Sequence, residues 1–214
     1  MKPLSECRLY AFVDTAYLQG RSPEFIAQEL CDGGADLIQV RAKGTPLEEA
    51  RRLVRTVQVI TQRSNVGLVV NDHLDVARQL GADFCHLGQE DFFGAGFERV
   101  EQLNAAGSGV RIGLSTHGPM EAQRAIDARA DYIAIGPVYA TATKPTAKPV
   151  TLDYVRWAAA HSTVPWFAIG GITLDNLDQV IAAGARRICV VSAILNAADI
   201  AARCREFKAR ICRV

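Results

Sequence analysis

Short apolar runs alternate with longer amphipathic segments from one end of the chain to the other. The runs fall at 9–13, 36–40, 67–70, 84–87, 110–114, 132–135, 166–169 and 188–191. Most are apolar at successive positions rather than at every second one, the pattern of parallel strands covered on both faces. The segments between them carry helix signals. Ser22 precedes Pro23 and Glu24, a cap residue before a proline at the first helical position. Thr45-Pro46-Leu47-Glu48 has the form of a capping box, and Leu47, Ala50, Leu53, Val54 and Val57 continue it as an apolar stripe at helical spacing. Thr173 reads as the cap of a further helix that begins at Leu174 and runs through Leu177, Val180 and Ile181.

The returns from helix to strand also repeat. Gly34-Ala-Asp36 and Gly81-Ala-Asp83 each close a helical segment before a strand, and Arg129-Ala-Asp131 and Gly184-Ala-Arg186 hold the equivalent places. A glycine there supplies a left-handed helix end. Eight strand–helix units in 214 residues predict an α/β fold, a compact (β/α)8 barrel of the TIM type. It is expected to form one domain over 1–214, with its active site at the C-terminal ends of the strands. An open doubly wound sheet is the alternative. The fourth unit is the weakest, because 92–109 contains four glycines, and it predicts a loop followed by a short helix.

Composition narrows the function without naming it. No apolar run reaches membrane-spanning length and the N-terminus lacks the apolar stretch of a secretory signal, so a cytoplasmic protein is expected. A net charge of +1 gives no reason to expect a nucleic-acid surface. Six cysteines without C-x-x-C spacing predict reduced thiols rather than a zinc site. Small molecules are the expected partners, with homo-oligomer formation left open.

On a barrel, chemistry belongs to the segments that leave the strands. After the second run, Gln39, Arg41 and Lys43 share one side if the strand continues that far, and two cations with an amide suit an oligophosphate. Asn71-Asp72-His73 follows the third run and His86-Leu-Gly-Gln-Glu-Asp91 the fourth. Asp72 and Asp91 on neighbouring strands can face one site, and Mg²⁺ takes one or two protein carboxylates with water and substrate phosphate. A solvated edge and a helix cap are the plainer alternatives. Ser115-Thr116-His117 follows the fifth run, and Gly136-Pro-Val-Tyr-Ala-Thr-Ala-Thr-Lys-Pro145 the sixth, with the hydroxyls of Thr141 and Thr143 and the cation of Lys144. His117 reads as a general acid/base or as a surface histidine. Gly170-Gly171-Ile172-Thr173 and Ser192-Ala193 follow the last two runs, the usual phosphate site of such a barrel, although glycines also serve tight turns. Two anion sites on one face fit the joining of two phosphorylated substrates with loss of diphosphate better than a one-phosphate isomerisation.

Seven segments in this order resemble the thiamine-phosphate synthase family: Gln39-Val-Arg-Ala-Lys43, Asn71-Asp72, His86-Leu-Gly-Gln-Glu-Asp91, Gly113-Leu-Ser-Thr-His117, Gly136 to Lys144, Ala168-Ile-Gly-Gly-Ile172 and Val191-Ser-Ala-Ile194. The resemblance covers about 9–194. It implies condensation of 4-amino-2-methyl-5-hydroxymethylpyrimidine diphosphate with thiazole phosphate, giving thiamine phosphate and diphosphate by a dissociative, Mg²⁺-assisted path. By the same resemblance Asp72 and Asp91 bind Mg²⁺, and Arg41, Lys43, Asn71 and Lys144 hold diphosphate. Gln39 and Ser115 contact the pyrimidine or its leaving group. Thr141 and Thr143 lie near the thiazole, Gly171 and Ser192 near its phosphate, and Val191 is a further substrate-binding residue. Lys144, Ser115, Arg41 and Lys43 are the implied catalytic set. The chain departs from the family at His73, where members often carry Arg, and at Lys148-Pro149-Val150, where they usually carry Gly. A thiazole tautomerase-like paralogue, with His117 as acid/base, and a non-catalytic thiamine-phosphate sensor are the rival readings.

Overall fold

The computed structural model describes residues 1–103, 107, 109–141 and 148–213. Eight parallel strands close into a barrel in sequence order: β1 Leu9–Asp14, β2 Leu37–Arg41, β3 Gly67–Asn71, β4 Phe84–Leu87, β5 Arg111–Thr116, β6 Tyr132–Ile135, β7 Trp166–Ile169 and β8 Ile188–Cys189. β1 pairs with β2 on one side and β8 on the other, which excludes the open sheet. The strand-crossing helices are α1 Pro23–Asp32, α2 Leu47–Arg63, α3 Leu74–Leu80, α4 Gln89–Phe93, α5 Pro119–Asp127, α6 Thr151–His161, α7 Leu177–Ala182 and α8 Ser192–Leu195, and α9 Ile200–Ile211 follows. One continuous apolar core runs from Leu4 to Ile211.

Three helix starts test the capping expectations. Ser22 caps α1 by accepting from the Phe25 N–H at 3.1 Å. α2 instead has Pro46 at its cap position with no side-chain cap bond, so Thr45 makes no capping box. Its buried stripe is Ala50, Leu53, Val54 and Val57, extended by Thr61, while Leu47 is 49% exposed. α7 begins at Leu177, later than its expected start, because Asn176 accepts from the Thr173 N–H at 2.8 Å and donates to the Gly171 carbonyl at 2.9 Å. That bridge holds 171–176 in a turn. In the fourth unit an unexpected helix, α4, directly follows β4, and the expected loop and short helix come after it as residues 94–99 and the 3-10 turn Val100–Gln102.

The repeated helix-to-strand returns carry a structural device. Gly34, Gly81, Arg129 and Gly184 all have positive φ, between 62° and 106°. The aspartate two residues on from the first three reaches across to the preceding strand. Asp36 accepts from the Leu9 N–H of β1 at 2.9 Å, Asp83 from the Leu68 N–H of β3 at 2.9 Å, and Asp131 from the Ile112 N–H of β5 at 2.7 Å. Each carboxylate thus satisfies a strand-end amide at the base of the barrel. The fourth return carries Arg186, and there the Ala168 N–H is satisfied by the Arg187 carbonyl.

Asp36 bears the most partners. Burial pushes its carboxyl pKa up. Hydrogen bonds from Lys2 and Lys208 and from the amides of Leu9 and Arg8 more than offset that, so the group sits below its ordinary value. A depressed carboxyl pKa stabilises the fold above the unfolded value of about 3.9, and that contribution disappears as pH falls through the folded value. Asp36→Ala should therefore cost about 1–3 kcal/mol at neutral pH, since two amides and two ammonium groups lose their acceptor. Urea unfolding should show the difference from the parent protein shrinking below about pH 4; a constant difference from pH 7 to pH 3 would contradict it.

Candidate active site

A cavity of about 910 Å³, counting its open mouth, occupies the C-terminal end of the barrel. Strand alternation decides what enters it. Phe12 of β1 is paired in register with Gln39 of β2, and Asp14 with Arg41, so side chains two apart on neighbouring strands point inward together. Of the residues expected at the site, Gln39, Arg41, Asn71, Ser115, Thr141, Gly171, Val191 and Ser192 line the cavity.

The others divide. β2 ends at Arg41, and Lys43 is exposed in the following turn, outside the cavity lining. The alternation that joined it to Gln39 and Arg41 stops with the strand. Asp72 is half-buried just past β3 in a left-handed conformation, φ 62°, with its amide donating to the His86 carbonyl at 3.0 Å. Asp91 lies in the first turn of α4 rather than in a loop, exposed, with Oδ2 accepting from the Gly88 N–H at 3.3 Å. Neither carboxylate lines the cavity. β3 and β4 are paired, with Asn71 opposite His86, so both aspartates follow adjacent strand ends. Among the described residues no three His, Cys, Asp or Glu cluster as a metal site. Thr143 and Lys144 lie outside the described residues.

Arg41 is fixed by a partner that sequence spacing did not single out. Its guanidinium donates to Asp14 Oδ2 at 2.9 Å, and Asp14 is fully buried at the end of β1. The other carboxylate oxygen of Asp14 accepts from the Ala16 N–H at 3.0 Å. A buried carboxylate so held offers a rigid seat, which leaves the rest of the guanidinium fork to the cavity.

The floor is polar and continuous. Gln39 Nε2 donates to the Tyr10 hydroxyl at 2.5 Å, and the Tyr10 and Tyr132 hydroxyls lie 3.1 Å apart. The Tyr132 hydroxyl is 3.0 Å from His86 Nδ1, and His86 Nε2 is 2.9 Å from Ser115 Oγ. Tyr10, Tyr132 and His86 were not among the expected site residues. His86 opened one of the seven family-like segments without a role of its own, and the two tyrosines were polar-tipped aromatics inside otherwise apolar strands. Gly113 makes room for them: a Cβ there would stand 2.1 Å from the Tyr132 ring.

The glycines after β6 and β7 are required by the protein's own packing. A Cβ on Gly136 would lie 2.2 Å from the Ile169 carbonyl oxygen, and one on Gly170 would lie 2.4 Å from Pro137 Cβ. Gly170 and Gly171 also have φ of 102° and 64°. The Val138 and Tyr139 amides donate to the carbonyls of Ile169 and Gly170 at 2.8 and 3.0 Å, binding the two segments together. Thr116 is spent on structure, donating to the Ala134 carbonyl at 2.8 Å and accepting from the Tyr154 hydroxyl at 2.7 Å. His117 lines the cavity at its exposed mouth, and its Nδ1 lies 3.0 Å from Glu121 Oε2. Cys189 reaches the cavity, but burial pushes its thiol well above the ordinary value and keeps it neutral.

The chain matches the family model described as thiamine monophosphate synthase over residues 9–194. It belongs to that family. A thiamine-phosphate synthase of Acidothermus cellulolyticus is 43% identical over 210 residues, covering 97% of this chain and 96% of that protein. One from Lawsonia intracellularis is 39% identical over 204 residues, covering 95% and 92%. Among solved structures, thiamine phosphate pyrophosphorylase from Pyrococcus furiosus superposes with a TM-score of 0.86 at 28% identity, covering 98% of each chain. No helix among the described residues is long and apolar enough to cross a membrane.

Asp14→Asn keeps a carbonyl for the Ala16 amide but removes the charge that seats Arg41. Urea unfolding should report a loss of about 3 kcal/mol, since a partly buried guanidinium is left without its counter-charge. Unchanged stability would mean that the pair does not hold Arg41.

Proposed function

We propose that the chain transfers a pyrimidinylmethyl group: it joins 4-amino-2-methyl-5-hydroxymethylpyrimidine diphosphate to thiazole phosphate and releases thiamine phosphate and diphosphate. Family membership over 9–194 is the observation that carries this reading. The cavity supports it, with Gln39, Arg41, Asn71 and Ser115 on the β2–β5 side and Gly171, Val191 and Ser192 on the β7–β8 side of one open space. Soluble, highly charged substrates fit a cytoplasmic setting.

In the reaction the bond between the pyrimidinylmethyl carbon and the diphosphate oxygen breaks, and both electrons leave with the oxygen. The lone pair of the thiazole nitrogen then forms the new C–N bond. The rate rests on stabilising charge on the leaving group and on holding the second ring ready. Arg41, seated by Asp14, donates to the diphosphate beside Asn71. Lys43 and Lys144 add positive charge. Gln39 and Ser115 hold the pyrimidine, while Thr141 and Thr143 face the thiazole. Gly171, Val191 and Ser192 hold its phosphate at the usual phosphate end of a barrel. Asp72 and Asp91 are the carboxylates that would hold Mg²⁺, a donor set suited to an ion completed by water and substrate oxygens, and the ion would supply neutralisation of the diphosphate. His117, the acid/base of the tautomerase reading, also lines the cavity, with its Nδ1 3.0 Å from Glu121 Oε2, so turnover with both substrates separates the two readings.

Purified protein mixed with both substrates and Mg²⁺ should form thiamine phosphate, and EDTA or omission of the thiazole should abolish it. Folded protein with active substrates and no product would overturn the assignment. Asp91→Ala should lower Mg²⁺-dependent turnover by roughly 100-fold or more. Near-parental turnover would remove Asp91 from the metal site. Lys144→Ala should reduce kcat more than it raises KM; a change in KM alone would assign Lys144 to ground-state binding only.

A further inference from the structure

Gln39, Tyr10, His86 and Ser115 line the cavity and are linked end to end through the fully buried Tyr132, so their hydrogen-bond roles are coupled. Gln39 on β2 contacts Tyr10 on β1, then Tyr132 on β6, His86 on β4 and Ser115 on β5, with every separation between 2.5 and 3.1 Å. Burial pushes both phenols well above their ordinary values, so each keeps one hydrogen and donates once. With Gln39 Nε2 donating to Tyr10, the direction that uses every hydrogen within the relay has the Tyr10 hydroxyl donating to Tyr132 and Tyr132 to His86 Nδ1. His86 then carries its proton on Nε2 and donates to Ser115 Oγ. The Ser115 hydrogen is thereby turned outward, and the Gln39 carbonyl oxygen is likewise left for the cavity. A hydroxyl oxygen can accept twice but has one hydrogen to give, so reversing a single link would point a phenol hydrogen away from the relay.

We infer that Tyr10, Tyr132 and His86 are positioning residues that fix the polarity of the substrate ring site: an acceptor at Gln39 on its β2 side and a donor at Ser115 on its β5 side. This rests on the proposed function only for the identity of the ring. The chemical class selected is an amino-substituted, ring-nitrogen heterocycle, whose amino group donates and whose ring nitrogen accepts. The oxo counterpart inverts both groups at once, presenting an acceptor to Gln39 and a ring N–H to Ser115. It would leave two buried polar contacts mismatched, the arrangement by which a polar site rejects an analogue most strongly.

Two readouts test this. In ¹⁵N NMR of the full-length protein with labelled histidine, His86 should be the neutral Nε2–H tautomer. The assignment would come from the signal lost in His86→Gln. Tyr132→Phe preserves the ring that packs against Gly113 but breaks the relay at its centre, so the tautomer preference should collapse toward a mixture. In the condensation assay, the parent should prefer the 4-amino over the 4-oxo pyrimidine diphosphate in kcat/KM by roughly 1000-fold or more, and Tyr132→Phe should narrow that ratio by roughly tenfold. An Nδ1–H tautomer or a doubly protonated ring in the parent would overturn the inference, as would a Tyr132→Phe protein with both tautomer and ratio unchanged. If the parent makes no product from either pyrimidine, the proposed function fails, while the tautomer and its response to Tyr132→Phe still decide the relay.

Discussion

A closed eight-stranded barrel must fill its interior with its own side chains, and here the filling is aromatic with polar tips. Tyr10, Tyr132 and Phe167 meet edge to face at 5.4–6.1 Å between centroids, Phe84 packs on Tyr132 at 5.8 Å, and the His86 ring stacks on Tyr132 at 5.6 Å. Such rings supply the burial that closes the barrel. Their hydroxyls and ring nitrogens each have a partner in another side chain. The chain from Gln39 to Ser115 is the consequence. One layer of residues is therefore both the top of the core and the floor of the cavity, and Gly113 permits it by leaving space for Tyr132.

The same economy appears at the barrel's two ends. At the base, Asp36, Asp83 and Asp131 take up strand-end amides of the preceding strand. At the mouth, buried Asp14 takes up the Arg41 guanidinium. Carboxylates at the base tie strands together, whereas the one at the mouth holds a cation at the cavity wall. Asp131 shows that the base carries a cost: burial raises its carboxyl pKa despite the amide of Ile112, because it lacks the two lysines that surround Asp36.

All eight strands were legible as short apolar runs because burial on both faces leaves little room for polar residues, and the closed order followed from their number. Helix starts were less legible. Thr45 and Thr173 have the right identity for caps, but a proline at 46 and the Asn176 bridge to Gly171 and Thr173 set those starts instead. At the site, residues on regular strands, such as Gln39, Arg41 and Ser115, were readable because alternation fixes their direction. Lys43 was not, since the strand ends before it, and neither was the helical setting of Asp91. The relay partners Tyr10, Tyr132 and His86 sit on three strands distant in sequence. Only closure of the barrel brings them together, so no local pattern shows that they meet.

The most direct test of how this cavity is used is an experimental structure of the protein with Mg²⁺, thiamine phosphate and diphosphate. The pyrimidine should lie against Gln39 and Ser115, the diphosphate against Arg41 and Asn71, and the thiazole phosphate against Gly171 and Ser192, with Asp72 and Asp91 on the metal side. A product bound elsewhere, or with its pyrimidine turned away from the Gln39–Ser115 floor, would contradict that use of the barrel's interior.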